Sequence, residues 1–115
     1  MRVKVYFDFG TNTLKPIAGF IDWKFPILPR MGEFVYAPLS FLPKDVIEEF
    51  KQIPALNHVS ESYYEAYGKN KEWYREETFY DYLANYSGDR FQIKEIEWID
   101  DVKNGVFPLL YIVKI

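Results

Sequence analysis

A chain of 115 residues is long enough for one domain with its own core, since folding without staples becomes hard only below about 40 residues. It holds no cysteine, which removes disulfides, thiolate nucleophiles and cysteine-based metal centres, and its 49% apolar and 20% aromatic content argues against disorder over most of the chain. The net charge of −3 conceals a split: residues 45–89 carry 10 acids against 4 bases and the remainder 7 against 10, neither part basic enough to read as a phosphate-binding surface.

The opening VKVYFDF alternates, with Val3, Val5, Phe7 and Phe9 on one side and Lys4, Tyr6 and Asp8 on the other, the pattern of a half-buried strand. Charge interrupts every short apolar run here, and no run of about 18 apolar residues occurs anywhere, so a soluble cytoplasmic protein without a membrane span is expected. Gly10-Thr-Asn-Thr is turn chemistry, after which Ile21, Trp23 and Phe25 share one face of a second expected strand.

FPILPRMGEF follows. A polyproline ligand would be solvated and would carry a cation two residues beyond its second proline, where this chain has Met31. The flanking Phe25, Ile27, Leu28, Phe34, Val35 and Tyr36 read instead as buried strand residues. The segment is therefore expected to be a strand, a corner built on Pro29, Gly32 and Glu33, and a further strand ending at Pro38. Gly32 supplies a positive φ, and Glu33 caps the corner or pairs with Arg30.

From Pro43 to Pro54 the period changes. Val46, Ile47, Phe50 and Ile53 lie on one face of a short helix, with Pro43 in its first turn and Asp45 at the positive end of its dipole. Residues 57–88 hold seven of the ten tyrosines. A helix over 71–86 is expected there, with Phe79, Leu83 and Tyr86 on one face, Trp73, Tyr80 and Ala84 beside them, and Gly88 ending it. Period two then returns in RFQIKEIEWID, where the apolar phase changes sides near Lys94 and Glu95 as a β-bulge would make it. Asn104-Gly105 marks a hairpin turn, and the last strand places Tyr111, Val113 and Ile115 in phase with Val3, Val5 and Phe7.

These elements describe a single α+β domain over residues 1–115. The expected architecture is a small, mainly antiparallel five-stranded barrel or half-open barrel, interrupted by an acidic, tyrosine-rich helical insertion over about 43–88. The corner FPILPRMGE leading into a strand, with a late hairpin ending the chain, resembles small SH3-like barrel proteins of uncharacterised function from gut-type bacteria. The resemblance covers residues 21–37 and 91–115. It implies an SH3-like fold and carries no catalytic residues.

Candidate chemistry is sparse. His58 is the only histidine and reads as a loop or helix-cap residue. Glu72 and Glu76, and Glu77 and Asp81, are spaced i, i+4 as metal-site or acid–base pairs would be, but an acidic solvated helix face has the same spacing. Asp100 and Asp101 belong to a hairpin tip, without the ligand run of a calcium loop. No nucleotide-binding or nucleophile-elbow motif is present, and no cofactor, metal site or catalytic residue is assigned. Tyrosine and tryptophan dominate binding hot spots, so Tyr63, Tyr64, Tyr67, Trp73, Tyr74 and Tyr82 form the expected partner-binding set, with Tyr74 and Tyr82 exposed. The resulting expectation is a non-enzymatic interaction module for a protein partner or a second copy of the chain. A small metal-assisted hydrolase and a nucleic-acid-binding barrel are the alternatives, the latter disfavoured because acids surround the rings.

Overall fold

The alternation in β1 (Arg2–Asp8) is realised: Val3, Val5 and Phe7 are fully buried, and Phe9 continues inward just past the strand. The computed structural model describes residues 1–35, 38–66, 75–85 and 90–115. Four further strands follow, β2 (Ile17–Asp22), β3 (Phe34–Val35), β4 (Phe91–Asp101) and β5 (Gly105–Lys114). They form one sheet in the order β2-β1-β5-β4-β3, curled into a half-barrel. Three of its pairings are antiparallel, but β1 and β5 run parallel, so the sheet is mixed.

That parallel pairing corrects the expected phase. Val5 and Phe7 lie beside Leu110 and Ile112, which are fully buried, while Tyr111 and Val113 share the opposite face with Tyr6 and Asp8. The last strand is apolar in both phases because both faces of the sheet hold rings here. On the outer face Tyr6 and Tyr111 meet at 5.5 Å. Phe107, 4% exposed, meets Phe20 at 4.9 Å, and the Arg2 guanidinium lies 4.0 Å above the Phe20 ring.

The helices lie between β3 and β4 and cover the concave face. α1 (Lys44–Phe50) buries Val46 and Phe50, with Pro43 as its N-cap residue and Asp45 in its first turn. Pro43 packs so closely over β2 that a Cβ on Gly19 would lie 2.6 Å from its Cγ. After a 3₁₀ turn (Ala55–Asn57) come α2 (Glu61–Ala66) and α3 (Phe79–Asn85). The expected start of a helix near Lys71 lies outside the described residues, but residues 75–78 are not helical, and α3 begins only at Phe79. Thr78 and Asp81 explain the boundary. Thr78 Oγ1 accepts the Asp81 N–H at 3.1 Å while Asp81 Oδ2 accepts the Thr78 N–H at 3.1 Å, a reciprocal cap that satisfies backbone donors at the helix start. Just ahead of it, residues 53–55 clasp residues 77–79: Phe79 N–H donates to Ile53 O and Ala55 N–H to Glu77 O, each at 2.8 Å.

The core is organised around Phe9, whose ring contacts Phe7, Phe50, Phe79 and Phe91 at 4.6 to 5.9 Å. The last three are edge-to-face pairs, which add about 0.5–1.5 kcal/mol each beyond the area they bury, and here they tie the end of β1 to α1, α3 and β4. No helix among the described residues is long and apolar enough to cross a membrane.

Candidate interaction surface

The corner is a pinned loop. β2 ends at Asp22, so the expected strand through Phe25 is not formed. Its residues reach outward instead: Phe25 is 66%, Ile27 76% and Met31 68% exposed. Prolines 26 and 29 deny the segment ladder donors, which leaves it irregular despite its apolar content. Trp23 Nε1 donates to Ile27 O at 2.9 Å, and the Trp23 ring packs on Phe25 and Phe41. At the far end Gly32 takes φ +91°, its N–H donates to Ile93 O at 2.7 Å, and the Ile93 N–H returns to Glu33 O at 3.0 Å. Glu33 does both things expected of it. Its Oε1 accepts the Arg30 N–H at 2.9 Å and Arg30 Nε at 3.2 Å, and these bonds, the backbone one foremost, hold its carboxyl below the usual range.

The second half of the surface is a hairpin arm. β1 pairs with β5 only from Leu109 onward, whereas β4 and β5 continue together to Asp101 and Gly105. The molecule is correspondingly long, 50 × 26 × 26 Å. The bulge expected near Lys94 is present as a register shift between Ile93 and Glu95, and beyond it Ile96 and Trp98 sit across from Leu110 and Pro108. Gly105 has φ +75°, and at the tip Asp101 accepts the Lys103 N–H and an Asn104 side-chain N–H, which lower its pKa, the Asn104 bond most. Trp98 is 63% exposed, and Val102 and Val106 are exposed as well. Since Asp22 lies opposite Arg2, and the arm begins beyond the partner of Lys4, the start of the corner loop and the root of the arm share one end of the sheet. Six of the ten large apolar side chains exposed among the described residues belong to these two segments, Phe25, Ile27, Met31, Trp98, Val102 and Val106, and a seventh, Phe34, lies in β3 just after the corner.

The tyrosines occupy a different place. Tyr63, Tyr64 and Tyr82 do come together, with ring centroids 5.3 to 6.5 Å apart, as the seam between α2 and α3. Tyr64 is fully buried and Tyr82 is 6% exposed, so these two rings belong to the core, and the expectation that Tyr82 is exposed is corrected. Tyr63 is half-buried against them. Tyr67, Trp73 and Tyr74 lie outside the described residues, as do Glu72 and Tyr86.

Comparison with protein-family models, curated proteins and solved structures yields no match.

A half-open cleft of about 230 Å³ lies between the sheet and the helices, lined by Phe9, His58, Ser60, Tyr63, Phe79 and Tyr82 among others. His58 caps the 3₁₀ turn, as its reading anticipated, with Nδ1 2.8 Å from Thr13 Oγ1, its ring edge-on to Phe79 and its pKa pushed down by burial. Ser60 Oγ bonds to Ser62 Oγ at 2.9 Å rather than to the imidazole. Glu77 precedes α3 and Asp81 is engaged in its cap, so these two acids do not form a pair on one helix. No three metal-ligating side chains converge among the described residues. The signal missed in the sequence was the arm: Trp98 stood in view, but its exposure depends on how far β5 outruns β1.

Proposed function

We propose that this protein is a non-enzymatic interaction module that engages a protein partner, or a second copy of itself, through the corner loop and the hairpin arm. The observation that carries the reading is the exposure of Phe25, Ile27 and Met31 on a loop held in place by Glu33 and by the backbone of Ile93. Concentrated exposed apolar side chains mark association sites, and a pre-ordered loop loses little entropy when it binds. Trp98 adds the residue type most enriched at binding hot spots. Tyr64 and Tyr82 of the tyrosine-rich insertion serve packing, so the proposed interface is drawn from the corner loop and the hairpin arm instead. The proposal extends to an SH3-like relationship for the half-barrel and to a cytoplasmic setting, which the absence of cysteine supports.

A photoactivatable benzophenone side chain in place of Ile27 tests it in the cells that make the protein. A discrete covalent adduct is expected at this position, absent when the same group replaces the exposed Glu49 on α1, and lost on Phe25→Ser. No adduct, together with a monomeric mass in solution up to the highest soluble concentration, would overturn the reading.

A further inference from the structure

β3 covers only the start of β4. Phe34 and Val35 pair with Gln92 and Phe91, Gly32 and Glu33 bond to Ile93, and from Lys94 to Asp101 the strand is paired on its β5 side alone among the described residues. A strand paired on one side turns alternate N–H and C=O groups outward and is a template for another strand. The register sorts the side chains along this edge. Glu95 and Glu97 share a face with Tyr111 and Leu109, and Ile96 and Trp98 share the other with Leu110 and Pro108.

We propose that the outer edge of β4 takes up an extended segment of a partner protein in which lysine or arginine alternates with apolar residues, added as a further strand of the sheet. This names the partner's chemistry for the interaction module proposed above and rests on that reading. Charge selects the occupant. Residues 94–101, KEIEWIDD, set one lysine against four acids, and Glu95, Glu97 and Asp100 are exposed. A second copy fits poorly. Two β4 edges related by a two-fold axis through the sheet pair residues that face the same side. Every such register centred on residues 95 to 99 then sets an acid opposite an acid: Glu95 on Glu95, Glu97 or Asp101, or Glu97 on Glu97 or Asp101. Like charges directly opposite destabilise a ladder. A basic alternating strand reverses that sign, placing cations across from Glu95 and Glu97 and apolar side chains beside Ile96 and Trp98. The other strand unpaired on one side among the described residues, β2, offers six residues with Asp22 as its one acid, and so serves as an internal control.

The probe is a blocked decapeptide of alternating lysine and valine, added to the full chain, with amide hydrogen exchange read residue by residue. Exchange at alternate amides of residues 94–101 is expected to slow at least tenfold, with β2 unchanged. The same peptide N-methylated at alternate amides, and a glutamate–valine peptide, are expected to bind at least tenfold more weakly. Glu95→Lys combined with Glu97→Lys is expected to exchange the preference of the protein from the lysine to the glutamate peptide, and binding of the latter itself reports that the variant is folded. Protection on β2 instead, no protection, equal binding of the two peptides, or β4 protection that rises with protein concentration without peptide would each overturn the inference, the last in favour of self-pairing. If the position-27 adduct forms while β4 stays unprotected, only this inference falls; loss of both refutes the interaction reading itself.

Discussion

Gly19→Ala is expected to destabilise the protein, although an ordinary strand position would gain from it. Gly19 lies opposite Val5 in β2, and the Cβ of alanine would stand 2.6 Å from Pro43 Cγ and 3.2 Å from Pro43 Cβ. Carbon atoms pack at about 3.5–4.0 Å, so the shortfall is about 1 Å, and the proline ring that must give way is the N-cap residue of α1. Overpacking of this kind costs about 1–3 kcal/mol, offset by about 0.4–1 kcal/mol from the restricted unfolded chain. The net loss is about 0.5–2 kcal/mol, or a melting temperature lower by about 2–8 °C at roughly 4 °C per kcal/mol for a domain of this size. Urea and thermal unfolding of Gly19→Ala, Pro43→Ala and the double variant make the measurement. Removing the proline ring should take back most of the cost of the alanine. A Gly19→Ala protein more stable than its parent, or additive effects in the double variant, would refute the close packing of α1 on β2.

Gly32→Ala meets no atom within 4 Å, so its cost is the backbone strain of φ +91° alone, about 1–2 kcal/mol in urea unfolding, with Gly32→Asn milder; an unchanged midpoint would remove the positive-φ corner. Thr78→Ala takes away half of the reciprocal cap and is expected to cost about 1 kcal/mol, whereas a helix that truly began upstream of Thr78 would be indifferent to it. Burial holds the pKa of His58 below the ordinary 6.5, so the unfolded chain takes up the proton first. Stability should therefore be full above that value and fall as pH drops beneath it. His58→Gln should flatten this decline in urea midpoints taken between pH 5 and 7.5, and a variant with an unchanged slope would assign it elsewhere.

Local chemistry was the legible part of this fold. The clean alternation of Val3, Val5 and Phe7, the bulge by Lys94, the positive φ of Gly32 and the capping by Glu33 each depend on neighbours within a few residues, and each is found. The phase of β5 was not legible, because Leu109, Tyr111 and Val113 are as apolar as Leu110 and Ile112, and only the identity of the facing layer separates them. The helical period around Phe79 extends upstream in the sequence without a break, and Thr78-Phe-Tyr-Asp81, a capping signal, was outweighed by it. For the residues of the candidate surface it was burial that misled. Phe25 and Ile27, apolar residues flanking Pro26, read as strand where they are exposed loop, and Tyr64 and Tyr82, tyrosines among acids, read as surface where the seam of two helices buries them.

The parallel pairing of β1 with β5 also governs how the chain can be assembled. The first strand becomes an interior strand only once Leu109 to Val113 lie beside it, so the two longest-separated elements must meet before the sheet has a centre. Closing so large a loop costs entropy that no local contact repays in advance, which makes folding slow for a domain of this length. During synthesis, β1 and β2 emerge as a two-stranded ribbon with Val3, Val5 and Phe7 uncovered, and they wait through more than eighty residues of further translation before their neighbour exists. The interval in which this apolar ribbon stays open to misplaced pairing or to chaperone capture is therefore written into the strand order itself.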